Sequence, residues 1–121
     1  MVQVVIESTA LTSGAVPPNG LYFSVDGVAS HVASSGGTGL DAEVRERVLD
    51  AAGAMRLVER IAESARSVLV GYANERRRLV RVTVACRDGM RQSVAVAEAV
   101  GQYLRTGGVD VEVDHRVLVG S

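Results

Sequence analysis

One stretch organises this chain: residues 79–100, which read LVRVTVACRDGMRQSVAVAEAV. Its first eight residues are rich in apolar and β-branched side chains, which predicts a strand that ends at Cys86. A short polar loop follows, and over residues 93–105 apolar residues recur at helical spacing. The start of a helix offers unpaired backbone N–H groups and the positive end of the helix dipole. The stretch therefore predicts a strand, an anion-binding loop and a helix.

The apolar patterns on either side predict a small α/β domain around this unit. Residues 2–8 and 21–26 are rich in β-branched or aromatic side chains and predict two neighbouring strands. Residues 109–113 alternate apolar and acidic side chains, as in a half-buried strand. Helices are predicted from Asp41, at an N-cap position, and over residues 54–72. We expect a single domain of order β-β-α-α-β-α-β: a small mixed sheet of about four strands with helices packed on it, ending in a parallel β-α-β unit.

Two helices carry further predictions about their surroundings. The third helix contains small residues, among them Ala95, Ala97 and Gly101, which would let it lie close to the sheet. The second helix carries a mixed set of charges on one side, which predicts a solvent-facing surface with intrahelical ion pairs. Its charged residues are Arg56, Glu59, Arg60, Glu63 and Arg66.

Length and composition exclude several classes of protein. The chain has 121 residues, of which 47% are hydrophobic, enough for one core. It has neither an apolar run of about 20 residues, as a membrane span needs, nor a secretory signal, so we expect a cytoplasmic protein. Its single cysteine excludes an internal disulfide and a multi-cysteine zinc site. The net charge of -1 indicates no general attraction to nucleic acid, and all 13 basic residues are Arg, so a Walker-type phosphate loop has no lysine.

The predicted site combines two distant segments. Ligands of parallel sheets gather at the carboxyl ends of the strands, which brings the loop after Cys86 towards His115. Ser93 suits either a helix N-cap or a ligand contact, while His115 suits a ligand contact, a general base or a surface position. We expect no catalytic residue, cofactor or metal ligand. The predicted ligand-binding residues are Cys86, Arg87, Gly89, Arg91, Ser93, His115 and Arg116.

Cys86 also suggests a cysteine-dependent phosphatase, whose phosphate loop reads Cys-x5-Arg-Ser. The sixth residue after Cys86 is Gln92, so the arginine that would bind the phosphoryl group in a bidentate manner is missing. We therefore favour a small buried cysteine at the end of a strand.

Two loops leave alternatives open. Arg76, Arg77 and Arg78 form a basic cluster that would either contact RNA or stay solvated. Residues 27–38 are rich in glycine and small polar residues, which predicts an exposed loop. His31 lies in this loop, and no partner ligands for a metal are identified.

In the order and spacing of its motifs, the chain resembles the C-terminal domain of the RapZ RNase adapter family. Its first strand ends in Glu7-Ser8 and a turn at Gly14 follows, like the opening of that family. The other matching positions are Thr38-Gly39-Leu40-Asp41 at a helix start, His115-Arg116 after the last strand, and Cys86, Gly89, Ser93 and Val94 of a family loop that reads Gly-Cys-Thr-Gly-Gly-Arg/Lys-His-Arg-Ser-Val.

The resemblance implies an α/β domain that binds glucosamine-6-phosphate and that serves RNA contacts, protein contacts and self-association in the full-length adapter. The chain departs from the family loop at residues 87–88 and 90–92, and Asp88 places a carboxylate near the predicted anion site. We therefore expect a non-enzymatic, homo-oligomeric domain that binds or senses phosphate or a sugar phosphate. The alternative is an RNA- or protein-interaction module, with a phosphatase as a third interpretation.

Overall fold

The computed structural model describes residues 2–11, 20–25, 37–71, 79–87 and 90–119, with only the backbone for residues 118 and 119. Its first seven elements confirm the predicted α/β class and element order. The eighth, a single helical turn after the last strand, was not predicted. The elements are β1 (Val4–Ala10), β2 (Leu21–Ser24), α1 (Ala42–Asp50), α2 (Ala54–Gly71), β3 (Val80–Cys86), α3 (Gln92–Thr106), β4 (Val111–His115) and α4 (Arg116–Val119).

The four strands form one sheet in the order β2-β3-β1-β4, and all three strand pairings are parallel. The prediction of a mixed sheet is therefore wrong in strand direction. The prediction that β1 and β2 are neighbours is also wrong, because β3 lies between them. Both central strands, β1 and β3, are buried along most of their length, as expected for a parallel sheet. Because nearly all side chains of these strands are buried, their sequences do not alternate between apolar and polar residues. The pairing of the strands could therefore not be inferred from such an alternation.

The predicted β3-α3-β4 unit is parallel, and β1 lies between its two strands. In β1, Ser8 is in register with Val84 of β3 and with His115 of β4. Two residues further along, Ala10 is in register with Cys86. The strand at the centre of the sheet therefore separates the two segments of the predicted site.

The core lies between one face of the sheet and the helices. Ile6 of β1, Val82 of β3 and Ile61 of α2 are fully buried members of one apolar cluster. The close approach of α3 to the sheet is confirmed at Gly101, where a Cβ atom would lie 2.8 Å from Cγ2 of Val113.

The turn before α1 packs against the start of α3. Asp41 occupies the N-cap position, but its carboxylate accepts a hydrogen bond from the Thr38 backbone N–H (2.8 Å) and makes no capping bond to α1. The Gly39 N–H donates to the carbonyl of Met90 (2.7 Å). A Cβ atom on Gly39 would lie 2.5 Å from the backbone nitrogen of Ala95. Glycine is therefore required here by the close approach of two backbones.

The charges of α2 differ from the prediction. In the described part of the chain, none of the five charged residues of this helix forms an ion pair. An intrahelical pair is present in α1 instead, where Arg47 and Glu43 are 2.7 Å apart. Within the described ranges, no helix is both long and apolar enough to span a membrane. The residues predicted as a turn at Gly14, the loop with His31, the cluster at residues 76–78, and Asp88 and Gly89 lie outside the described residues.

Candidate functional site

The junction between β3 and α3 is closed by a pair of hydrogen bonds between Cys86 and Ser93. The Ser93 N–H donates to Sγ of Cys86 (3.3 Å), and the thiol donates to Oγ of Ser93 (3.2 Å). Both residues are buried, so the predicted buried cysteine is confirmed. Ser93 is not the N-cap, because α3 begins at Gln92 and Arg91 occupies that position. One amide of the predicted anion loop is thus already bound from within the protein.

His115 forms the centre of a second set of hydrogen bonds. Its Nδ1 atom lies 2.6 Å from Oγ of Ser8, and its Nε2 atom lies 2.7 Å from Oε2 of Glu98. Ser8 belongs to β1, Glu98 to α3 and His115 to β4. The imidazole therefore joins two strands and the helix that covers them.

The chemistry of Ser8 and Glu98 determines which ring nitrogen of His115 carries the proton. An ionised carboxylate only accepts, so Nε2 of His115 donates to Glu98. In the neutral imidazole, Nδ1 then accepts from the Ser8 hydroxyl. Serine, histidine and a carboxylate are the components of a hydrolytic triad, but Ser8 has no exposed surface from which to reach a substrate. The arrangement therefore fixes the orientation of His115.

Glu7 and Arg116 pair on the other face of the sheet. Side chains alternate along a strand, so Glu7 points away from the face that carries Ser8. The carboxylate of Glu7 is largely buried and lies 2.9 Å from Nη1 of Arg116 and 3.9 Å from Nη1 of Arg81. His115 and Arg116 are adjacent in sequence, yet their side chains bond to groups on opposite faces.

The predicted site residues thus form separate groups. Cys86 and Ser93 are in contact, whereas Cys86 and His115 lie on either side of β1 and two residues out of register. At about 4.8 Å between strands and 3.3 Å per residue, their Cα atoms are roughly 12 Å apart. Arg87 is exposed and Arg91 is half-buried at the start of α3. Only a ligand that crosses the end of β1 would reach both groups.

Two residues that organise this edge were absent from the predicted set. Ser8 is a buried polar residue within an apolar strand, and it had been noted only as part of a family motif. Glu98 is the one charged residue in the run VAVAEAVG, residues 94–101. Each is a polar exception in an apolar pattern, which is the signal that could have identified it. Across the described ranges, no group of three or more His, Cys, Asp or Glu residues is placed to hold a metal ion.

Comparisons with known proteins identify the family. A family model described as the RapZ C-terminal domain matches residues 3–119. A nucleotide-binding protein of Frankia casuarinae is 42% identical over 81 residues, which are 67% of this chain and 28% of the relative. A nucleotide-binding protein of Streptomyces coelicolor is 39% identical over 79 residues, which are 65% of this chain and 26% of the relative. The matched part spans about a quarter of the length of these curated relatives. This chain belongs to the RapZ C-terminal domain family.

Proposed function

We propose that this domain binds a small phosphate-bearing molecule, glucosamine-6-phosphate or a similar sugar phosphate, at the carboxyl edge of its parallel sheet. The observation that carries the proposal is the β3-α3 junction, where residues 87–91 connect the end of a central strand to the start of a helix. Exposed Arg87 and half-buried Arg91 flank the connecting loop. Membership of the RapZ C-terminal domain family supports the same ligand class.

The Cys86–Ser93 pair has a positioning role in this proposal. Because the Ser93 N–H is bound to Sγ of Cys86, we assign the anion to the guanidinium groups of Arg87 and Arg91. The thiol holds the start of α3 against the end of β3. His115, with both ring nitrogens engaged, shapes the far side of the site.

We propose binding rather than catalysis. The thiol of Cys86 and the hydroxyls of Ser8 and Ser93 lie at this edge, and all three are buried and bonded to other protein groups. We expect no turnover of p-nitrophenyl phosphate above the rate of a Cys86→Ser variant. Turnover that is lost in that variant would favour the phosphatase interpretation.

The relatives are named nucleotide-binding proteins, and we do not extend that property to this chain. Its sequence has no Gly-x4-Gly-Lys-Ser/Thr motif and no lysine. The interaction-module alternative depends on Arg76, Arg77 and Arg78, which lie outside the described residues. Small-molecule binding is therefore the function that the described geometry supports best.

Isothermal titration calorimetry with glucosamine-6-phosphate, inorganic phosphate and glucosamine tests the proposal. We expect saturable binding of the sugar phosphate, weaker binding of phosphate and none of glucosamine. Loss of one charged hydrogen-bonding group, as in Arg91→Gln, should weaken binding by roughly tenfold. The matched control is Arg60→Gln, an exposed arginine of α2. Absence of heat at about 10 mM sugar phosphate, or equal loss in both variants, would refute the proposal.

A further inference from the structure

We propose a second binding site, in the groove between α1, α2 and α3, for a small molecule that carries a carboxylate or phosphate group on an apolar body. The groove has a volume of about 740 Å³, within the range of small-molecule sites. Leu49, Met55 and Tyr103 supply apolar surface, and Arg45 and Arg66 supply positive charge. None of these five residues belongs to the edge of the sheet described above, although Glu98, which bonds to His115, also lines the groove.

Arg66 carries the proposal. Its Nε atom is buried and has no hydrogen-bond partner, and its guanidinium forms no ion pair in the described structure. Buried donors without an acceptor are rare in native proteins, because burial removes water without replacing its hydrogen bond. A carboxylate or phosphate oxygen is the acceptor that a guanidinium binds most strongly. The buried Nε atom is out of reach of the groove, so an anion there would bind the Nη groups at the end of the side chain, which have no acceptor among the described residues.

The guanidinium of Arg66 lies against Gly107 at the end of α3. A Cβ atom at Gly107 would lie 2.5 Å from Nη2 of Arg66, so a larger residue here would displace the guanidinium from the end of α3. The carbonyl groups at that end carry the negative pole of the helix dipole, which favours a cation there. The guanidinium therefore lies where the helix dipole favours a positive charge.

The other charges of the groove favour an anion over a cation. The carboxylate of Glu98 accepts from Nε2 of His115 at 2.7 Å, and that of Glu63 accepts from the Tyr103 hydroxyl at 3.5 Å. Arg45 lines the same groove, and its guanidinium has no bonded partner in the part of the chain that the structure describes. The two carboxylates thus have donors, while both guanidinium groups lack acceptors.

The apolar surface determines the rest of the ligand. Met55 is 47% exposed and Tyr103 is 36% exposed, and both line the groove. An apolar body would cover these side chains while its charged end binds Arg66. A free inorganic anion would satisfy the arginines and leave this surface in contact with water, so we expect it to bind more weakly.

Titration of the full chain with phenyl phosphate and benzoate, followed by amide chemical shifts, tests this site. Benzyl alcohol is the uncharged comparator. We expect shifts around Arg66, Tyr103 and Gly107 with at least one anion, none with benzyl alcohol, and roughly tenfold weaker binding in Arg66→Gln. Gly107→Ala should weaken binding similarly, because the added methyl group displaces the guanidinium. Its backbone φ of -85° suits alanine, so the variant should fold. Arg60→Gln should bind as the wild type does.

Three outcomes would overturn the groove site: equal shifts with benzyl alcohol, unchanged affinity in a folded Arg66→Gln variant, or shifts confined to residues 87–93. The last result would leave the sugar-phosphate proposal intact. Conversely, failure of glucosamine-6-phosphate to bind would not affect anion binding in the groove, because the two sites share no proposed contact.

Discussion

Polar groups at the edge of the sheet are hydrogen-bonded within the protein, whereas arginines in the groove between the helices lack acceptors among the described residues. At the edge, His115 bonds to both Ser8 and Glu98, and Cys86 bonds to Ser93. In the groove, Arg66 is partly buried without an acceptor. Polar groups that satisfy each other strengthen the fold, whereas a guanidinium without an acceptor in the protein can bind an acceptor of a ligand. Substitutions in the hydrogen-bonded groups of the edge should therefore lower stability, and substitution of the groove arginines should mainly change binding.

The largest effect on stability is expected from Gly39→Ala, which disturbs the support of the edge. The added Cβ would lie 2.5 Å from both the Ala95 nitrogen and the Arg91 carbonyl oxygen, and backbone atoms cannot move aside cheaply. We expect a loss of about 3 kcal/mol in the free energy of unfolding, measured by urea denaturation followed by circular dichroism. The control is Gly71→Ala in α2, where a Cβ would meet nothing within 4 Å. Equal stability of the two variants would contradict the close packing of this turn on α3.

Ser8→Ala should have the next largest effect. The substitution leaves the buried Nδ1 of His115 without its partner, at a cost of about 2 kcal/mol in the free energy of unfolding. Glu98→Gln keeps an oxygen that accepts from Nε2, so its cost should stay below about 1 kcal/mol. Urea denaturation of both variants measures which of them loses more free energy of unfolding. If Ser8→Ala is neutral, the hydrogen-bonded chain contributes no stability.

Arg116→Gln tests the opposite face of the sheet. Glu7 is only 11% exposed at its side chain, so removal of its nearest partner leaves a desolvated carboxylate, and we expect a loss of about 1 kcal/mol. The same change at Arg47, whose partner Glu43 is 77% exposed, should cost about 0.3 kcal/mol. Thermal unfolding at low and high salt measures the difference. Equal losses would show that burial of Glu7 adds nothing to its ion pair.

Arg66→Met should have the smallest effect on stability and thereby complete the contrast. It removes a buried donor that has no acceptor, so the free energy of unfolding should stay the same or rise by up to about 1 kcal/mol. Denaturation without added anion measures this, and phenyl phosphate should stabilise the wild type more than the variant. A loss comparable with that of Ser8→Ala would mean that Arg66 supports the fold.

Local patterns predicted most of the fold. The element types followed from the apolar run to Cys86, the alanine-rich helix after it and the alternation near Val111. The spacing of apolar residues and the positions of turn residues depend only on neighbouring residues, so they can be recognised in the sequence. Gly101 correctly indicated a close helix–sheet contact. The strand order was not predictable in this way, because β1 pairs with residues that lie 76 and 107 positions further along the chain.

The site was predicted less completely than the fold, for a related reason. Sequence motifs identified Cys86, Ser93 and His115, and placed them near the carboxyl edge of the sheet. Their hydrogen-bond partners depend on contacts over long sequence separations, such as the 107 residues between Ser8 and His115. Arg66 illustrates the limit, because its charge predicted a solvated helix face, whereas its Nε atom is buried and its guanidinium lies against Gly107 at the end of α3.

The amino-acid pattern alone thus accounts for the α/β class, the element order, the strand–loop–helix unit and the resemblance to the RapZ C-terminal domain. The folded chain settles the parallel strand order, the opposite faces of His115 and Arg116, and the contrast between a satisfied edge and an unsatisfied groove. The physical reason is distance along the chain. Secondary structure follows from residues within a few positions of each other, whereas burial and hydrogen-bond partners are set by segments that meet only after folding.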